Sequence, residues 1–329
     1  MAHEVKSADI RRTVATLRAG GLVAFPTETV YGLGADASNP EAIKKVFAAK
    51  GRPRDHPLIV HLASSTQLTD WARDVPPAAH TLAQKFWPGP LTLILKRAPG
   101  VSDLVTGGQD TVALRVPSHP LAQALLKAFG GGVVGPSANR FGRVSATTAQ
   151  HVRQEFGDTI DRVLDGGACE VGIESTIIDL SGARPALLRP GCITARQIEA
   201  VLDAPLAKPG DTSPRAPGTL EKHYAPRTPL MLVEGDLIDE LTRSFARQGK
   251  RIAVLARNAH QPLIDSLVWI TAPAAPAGYA HDLYANLRQL DAAACDVMLV
   301  EEPPLAMEWA AVRDRLGRAA AGAGAEEDA

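Results

Sequence analysis

The sequence predicts an α/β protein in two parts. Short apolar runs bounded by Gly and Pro alternate with segments of helical apolar spacing along most of the chain, and a proline-dense stretch interrupts that alternation. The 329 residues, 45% hydrophobic and 22% charged, supply apolar surface for at least one full core, and the length suits two domains. The expected organisation is a first domain over residues 1–205, a linker over 206–229, a second domain over 230–318 and a tail over 319–329. The tail is small and acidic, which predicts disorder.

In the first part Ile10, Val14 and Leu17 recur at helical spacing, and Gly20-Gly21 stops that helix before an apolar strand at 22–25. Asn39-Pro40 opens a second helix that runs through Lys50, with Pro40 where no N–H is needed and Gly51 placed to end it. Residues 58–62, 91–96 and 111–116 read as strands; 66–71, 78–86 and 120–128 read as helices. Val133-Val134 forms a short strand that delivers Gly135-Pro136-Ser137-Ala138-Asn139 to its end. Strands follow at 162–164, 175–180 and 186–189, then a helix at 194–202. Pro205, Pro209, Pro214, Pro217, Pro226 and Pro229 make a regular element implausible in the linker. Beyond it, strands at 230–233, 252–255, 267–271 and 297–300 alternate with helices near 237–247, near 280–292 and from Leu305, the pattern of a small parallel sheet.

A formal net charge of -1 offers no global field for a polyanion, so nucleic-acid contact needs a local patch. The first twenty residues lack a secretory apolar core, and no apolar run is long enough to span a bilayer. Cys169, Cys192 and Cys295 are odd in number and far apart, which argues against a disulfide framework or a zinc site. A reducing cytoplasm is the expected location. Neither a Walker-type loop nor a dinucleotide-binding glycine pattern occurs, so a nucleotide site must be built differently.

Several residues stand where chemistry is possible. Lys50 and Arg52 flank Gly51 just beyond a helix end, where a turn can aim both cations at one anion; ordinary capping would also place them there. Ser137 and Asn139 follow a strand through Gly135-Pro136, a position suited to phosphate or carboxylate and equally to a helix cap. Thr27, Glu28, Thr29 and Tyr31 gather hydroxyls, a carboxylate and a phenol before Gly32 and Gly34; the bland alternative is an edge strand with a tight turn. His61 ends an apolar strand, as structural histidines often do. Arg115 inside an apolar strand demands an anionic partner or exposure.

Taken in order, Phe25 through Gly34, Lys50-Gly51-Arg52-Pro53 with His56-Pro57-Leu58-Ile59-Val60-His61, Trp87-Pro88-Gly89-Pro90-Leu91-Thr92, Thr111 through Pro117, Pro136-Ser137-Ala138-Asn139, Glu174-Ser175-Thr176-Ile177 and Leu188-Arg189-Pro190-Gly191 resemble the YrdC-like family of threonylcarbamoyl-AMP synthases in its long two-domain form. The resemblance implies a twisted mixed open sheet with flanking helices, followed by a smaller Rossmann-like parallel α/β domain. It implies a nucleotidyltransferase that converts L-threonine, bicarbonate and ATP to threonylcarbamoyl-AMP and pyrophosphate, for later modification of tRNA by a threonylcarbamoyl-transfer machinery. Carried over by position, Thr29, His61, Arg115, Gly135 and Ser175 would hold threonine. Lys50, Arg52, His56, Thr111, Ser137, Asn139, Ser145 and Arg189 would hold ATP, with Lys50 and Arg52 the catalytic cations and Tyr31 shaping the pocket wall. Mg2+ would ride on the ATP phosphates with no protein side-chain ligand. His223 and Tyr224, kept within a variable linker, would close over the nucleotide as a lid.

Two departures stand out: His56 where the family commonly has asparagine or lysine, and Thr219-Leu220-Glu221 after Pro217-Gly218 in the linker. The rival readings are a carbamoyl-adenylate-forming enzyme and a non-catalytic RNA-binding module. The chain lacks the zinc-binding and acylphosphatase-like segments that accompany the first, and the near-neutral charge counts against the second, leaving weak RNA binding in a local groove as an open expectation.

Overall fold

A computed structural model describes residues 2–210, 213–265 and 267–324. It falls into two compact units, residues 1–141 with 146–219, and residues 142–145 with 220–329.

The first unit is organised on nine strands: β1 (Val23–Phe25), β2 (Gly32–Asp36), β3 (Ile59–His61), β4 (Leu91–Lys96), β5 (Thr111–Arg115), β6 (Val133–Val134), β7 (Arg162–Val163), β8 (Thr176–Asp179) and β9 (Ala186–Arg189). They form one mixed sheet in the order β7-β1-β2-β6-β3-β5-β4-β8-β9. Near its middle β3 and β5 run parallel, in a register that sets His61 opposite Arg115. β4 returns antiparallel to β5, and β8 runs parallel to β4. These central strands read as continuous apolar runs because both of their faces are covered.

The covering helices are α1 (Ala2–Arg18), α2 (Pro40–Lys50), α3 (Leu68–Trp71), α4 (Pro77–Phe86), α5 (Asp103–Thr106), α6 (Pro120–Phe129), α7 (Ala149–Phe156) and α8 (Ala195–Leu202). Successive residues of β1 divide between two cores, as the period of a strand requires. Val23 and Phe25 join Ile10, Val14, Leu17 and Leu125 on one side. Ala24 joins the larger cluster of Ile43, Val46, Phe47, Leu82 and Leu114 on the other. α2 has the predicted ends: Asn39 Oδ1 accepts from the N–H groups of Glu41 and Ala42 at 3.0 and 3.2 Å, and Gly51 closes the helix at φ 62°.

Three elements of this unit escape the sequence reading: β2, α5 and α7. β2 contains Gly32 and Gly34, which weaken its strand signal; a Cβ at either would meet the Phe25 ring at 3.1 or 3.0 Å. The segment expected as a loop before Gly34 therefore runs directly into a strand paired with β1. α7 buries only Ala149, Val152 and Phe156 of its eight residues, too few for a strong helical period.

The linker splits between the units. Ala207 N–H donates to Pro185 O at 2.8 Å, Arg215 Nη2 to Gly107 O at 2.8 Å, and Ala216 packs with Ile59, Ile94, Ala113 and Ile177, all in the first unit. In the second unit His223 N–H donates to Arg318 O at 3.3 Å and Ala225 N–H to Gly142 O at 2.8 Å.

The second unit carries β10 (Leu230–Val233), β11 (Ile252–Ala256), β12 (Leu267–Thr271) and β13 (Val297–Glu301), all parallel, in the order β10-β13-β11-β12. Its helices are α9 (Ile238–Arg247), α10 (Pro276–Ala292) and α11 (Ala310–Gly322). The expected disorder from residue 319 is corrected: α11 continues through Gly322 because Leu316 and Ala319 prolong its buried face. Residues 325–329 of that tail lie outside the described residues. Replacing the α2 cap, Asn39→Ala, is expected to cost about 1 kcal/mol in denaturant unfolding, with an unchanged denaturant slope.

Candidate active site

Arg115, at the end of β5, is 4% exposed, and its demand for an anion is met inside the chain. Its Nη2 donates to Glu28 Oε1 at 2.7 Å, Nη1 to Thr29 Oγ1 at 2.9 Å and Nε to Gly89 O at 3.3 Å. The second carboxylate oxygen of Glu28 accepts from Ser118 N–H at 3.0 Å, so the buried ion pair is tied to backbone on two sides. Thr29 Oγ1 lies 2.9 Å from Thr27 Oγ1. The hydroxyls of Thr92, on β4, and Ser175, just before β8, meet at 2.7 Å.

His61 neighbours Arg115 across the β3–β5 register and stands edge-on to Phe25, ring centroids 5.5 Å apart. Its Nδ1 is buried without a hydrogen-bond partner among the described residues. Burial, aided by the Arg115 charge, pushes the imidazole down to about 3, so it is neutral at physiological pH. Gly135 makes room for it: a Cβ there would stand 2.7 Å from Nδ1. Thr29, His61, Arg115 and Gly135, expected together from the sequence, do come together.

Of the expected nucleotide contacts, Lys50, Ser137, Asn139, Arg52 and His56 adjoin one another around the end of α2 and the loop after β6. Lys50 Nζ donates to Ser137 O at 2.6 Å and Asn139 O at 2.5 Å, fastening the end of α2 to the loop after β6. Burial, reinforced by Arg52, pushes its ammonium well below the usual lysine range, while Glu155 and Glu174 act in the opposite sense. Arg52 Nη2 donates to Pro57 O at 3.0 Å, and its guanidinium lies over the Phe141 ring at 5.6 Å. His56 meets the same ring edge-on at 5.3 Å, and burial followed by Arg52 lowers its pKa. Arg189, ending β9, donates from Nε and Nη2 to Ser175 O at 3.0 and 2.9 Å, from Nη2 to Ser175 Oγ at 3.1 Å and from Nη1 to Pro217 O at 2.8 Å. It therefore joins Ser175 to the linker. Thr111 sits half-buried at the start of β5, opposite Lys96.

Ser145, His223 and Tyr224 belong to the second unit. There Ser145 O accepts from Arg288 Nε at 3.1 Å. The His223 and Tyr224 rings pack at 4.1 Å, and Tyr224, at φ 61°, carries the Arg315 guanidinium over its face.

A family model described as Telomere recombination, covering Sua5, YciO and YrdC, matches residues 15–191. One described as Threonylcarbamoyl-AMP synthase, C-terminal domain, matches residues 193–321. The chain belongs to the YrdC-like threonylcarbamoyl-AMP synthase family. Curated threonylcarbamoyl-AMP synthases of Pyrococcus abyssi and Bacillus subtilis are each 41% identical to it, over 94% and 95% of this chain and 93% of theirs. The crystal structure of P. abyssi Sua5 complexed with L-threonine superposes with a TM-score of 0.87 at 40% identity, covering 94% of both chains.

For this YrdC-like chain the sequence reading noticed Thr27 and Glu28 without assigning either to the site, and it missed Phe141 and the Thr92 hydroxyl. The requirement that a buried arginine find an anion could have pointed to Glu28; nothing local marks Phe141. Tyr31, expected on the pocket wall, is fully buried: its hydroxyl donates to Gly167 O at 2.9 Å and accepts from Gly166 N–H at 3.0 Å, and burial raises its pKa to about 12.

His61 gives a test by pH. Its folded pKa, about 3, lies below the ordinary 6.5, so the unfolded chain binds the proton first on acidification. The stabilisation from a neutral His61 is complete above pH 6.5 and is lost as pH falls toward about 3, by about 1.4 kcal/mol per pH unit. Denaturant midpoints between about pH 7 and about pH 5 are expected to fall more steeply for the wild type than for His61→Asn; parallel slopes would contradict a buried neutral imidazole.

Proposed function

We infer that the protein is a threonylcarbamoyl-AMP synthase, which joins L-threonine, bicarbonate and ATP and releases pyrophosphate and water. The observation that carries this reading is the correspondence across 94% of both chains with a Sua5 protein crystallised with L-threonine. The chemistry of the Arg115 pocket supports it. A guanidinium has five N–H donors, and Arg115 spends three on Glu28, Thr29 and Gly89, leaving two for a ligand carboxylate. Holding the carboxylate there leaves the amino group as the nucleophile. The amine captures carbon dioxide derived from bicarbonate, forming a carbamate with loss of a proton. A carbamate oxygen then attacks the α-phosphorus of ATP and pyrophosphate leaves.

Carbamate and triphosphate are both anionic, so the work falls on positioning and charge neutralisation. Arg52 supplies a fixed charge, held by Pro57 O and Phe141. Lys50 shapes the Ser137 and Asn139 backbone, and the neutral His61 contributes no competing charge beside Arg115. No group of three or more His, Cys, Asp or Glu side chains suited to a metal occurs among the described residues. Mg2+ would be held by the ATP phosphates and water, supplying neutralisation of the leaving pyrophosphate. No helix among the described residues is long and apolar enough to cross a membrane. The threonylcarbamoyl group would pass from its adenylate to tRNA through a separate transfer machinery.

Pyrophosphate release is expected to require ATP, threonine and bicarbonate together; release without threonine would indicate another acyl donor. Arg115→Lys should raise the KM for threonine about tenfold or more while leaving that for ATP near the wild-type value, and Arg52→Ala should do the reverse. Equal losses toward both substrates in either variant would contradict the division of roles.

A further inference from the structure

The four parallel strands of the second unit stand in the order β10-β13-β11-β12. β13 leads into α11, which packs back on β10, whereas β11 leads away to β12 on its other side. Neighbouring strands whose C-terminal connections depart in opposite directions mark the place where open α/β sheets take their ligands. Glu301, the last residue of β13, and Arg257, the first after β11, stand at that edge.

In folds of this kind the main-chain N–H groups at such an edge commonly hold a ligand phosphate. Here they are occupied from within. The N–H groups of Arg257, Asn258 and Ala259 all donate to one oxygen, Glu301 Oε2, at 2.6, 2.8 and 3.2 Å. Three successive donors on one oxygen make an anion hole, and the chain fills it with its own carboxylate. Gly235, just after β10, permits the fit: a Cβ there would stand 3.3 Å from the other oxygen, Glu301 Oε1.

Two donors are left over. The hydroxyl of Tyr279, a residue 1% exposed, and Arg257 Nε are both buried without a hydrogen-bond partner among the described residues. Trp309 adjoins both: the Arg257 guanidinium lies over its ring at 5.4 Å, and the Tyr279 ring meets it edge-on at 5.5 Å. Burial, then the Glu301 charge, raises the Tyr279 pKa, so the phenol keeps its proton. Buried donors with nothing to bind carry a desolvation cost that a bound acceptor relieves. Leu237, Leu305 and Met307, exposed in the connections that leave β10 and β13, add apolar surface at the same edge.

We propose that this edge of the second unit binds a small uncharged ligand: Tyr279 and Arg257 donate to its carbonyl oxygen, and Glu301, seated in the anion hole, turns away phosphates and carboxylates. An anionic ligand would have to displace Glu301 or sit against it, whereas an amide oxygen satisfies the donors and brings no charge. The apolar residues at the rim meet the body of the ligand.

Benzamide and benzoate share a shape and differ in charge, as do acetamide and acetate. Each is titrated into the full chain carrying 5-fluorotryptophan, with the Trp309 fluorine signal assigned from Trp309→Phe and thermal unfolding recorded for every variant. At least one amide is expected to shift that signal saturably, with its carboxylate partner about tenfold weaker or more. Tyr279→Phe keeps the ring and removes the donor; it should weaken that amide about tenfold without lowering the melting temperature. Glu301→Gln should narrow the gap between carboxylate and amide. No saturable shift with either amide, the mark of ordered water alone, would overturn the proposal. So would a carboxylate that binds the wild type as tightly as its amide, full amide affinity in folded Tyr279→Phe, or an unchanged gap in Glu301→Gln.

Discussion

The first unit depends on a buried charge pair in its central sheet. Arg115 enters a largely apolar strand, and Glu28, delivered by the connection between β1 and β2, balances it. Breaking such a pair by removing one partner costs about 3–5 kcal/mol, because the other charge is stranded away from water. The pair therefore constrains the path of the Thr27–Glu28–Thr29 segment, the position of Ser118 and, through Gly89, the entry to β4. A hydrophobic pair of similar volume would hold the sheet as well, and the charged version adds directional hydrogen bonds to Thr29, Gly89 and Ser118.

The second constraint is Lys50. A lysine with its ammonium on two backbone carbonyls is an expensive way to end a helix, yet it makes the loop after β6 and the end of α2 one rigid piece. Arg52, two residues on, inherits that rigidity and is seated on Phe141. Lys50 spends two of its three N–H donors on main-chain oxygens, and the Arg52 guanidinium lies over an aromatic face.

Much of this was legible in advance where local signals agree. The Asn39-Pro40 start and Gly51 stop of α2, the short β6 and the parallel second sheet follow from capping, punctuation and apolar runs. β2 was not legible, because its glycines exist for the Phe25 ring and dilute the strand pattern. The linker was visible as a proline-rich break, but proline density cannot say which neighbour each half packs on, and Arg215 and Ala225 join different units. The site was legible in its members and not in its bonding: spacing brings Thr29 and Arg115 forward, while the commitment of Arg115 to Glu28, and of the Thr27 proton to Val30, comes from contacts far apart in sequence or too fine for pattern.

We propose that Arg115 binds the threonine carboxylate, so that the amino group is free to take up bicarbonate carbon and the carbamate oxygen formed there is the nucleophile toward ATP. Incubating the protein with ATP, L-threonine and carbon-13 bicarbonate and weighing the adenylate tests this most directly. Threonylcarbamoyl-AMP heavier by the single carbon-13 mass difference is expected. An unlabelled adenylate, above all threonyl-AMP formed through the free carboxylate, would contradict it.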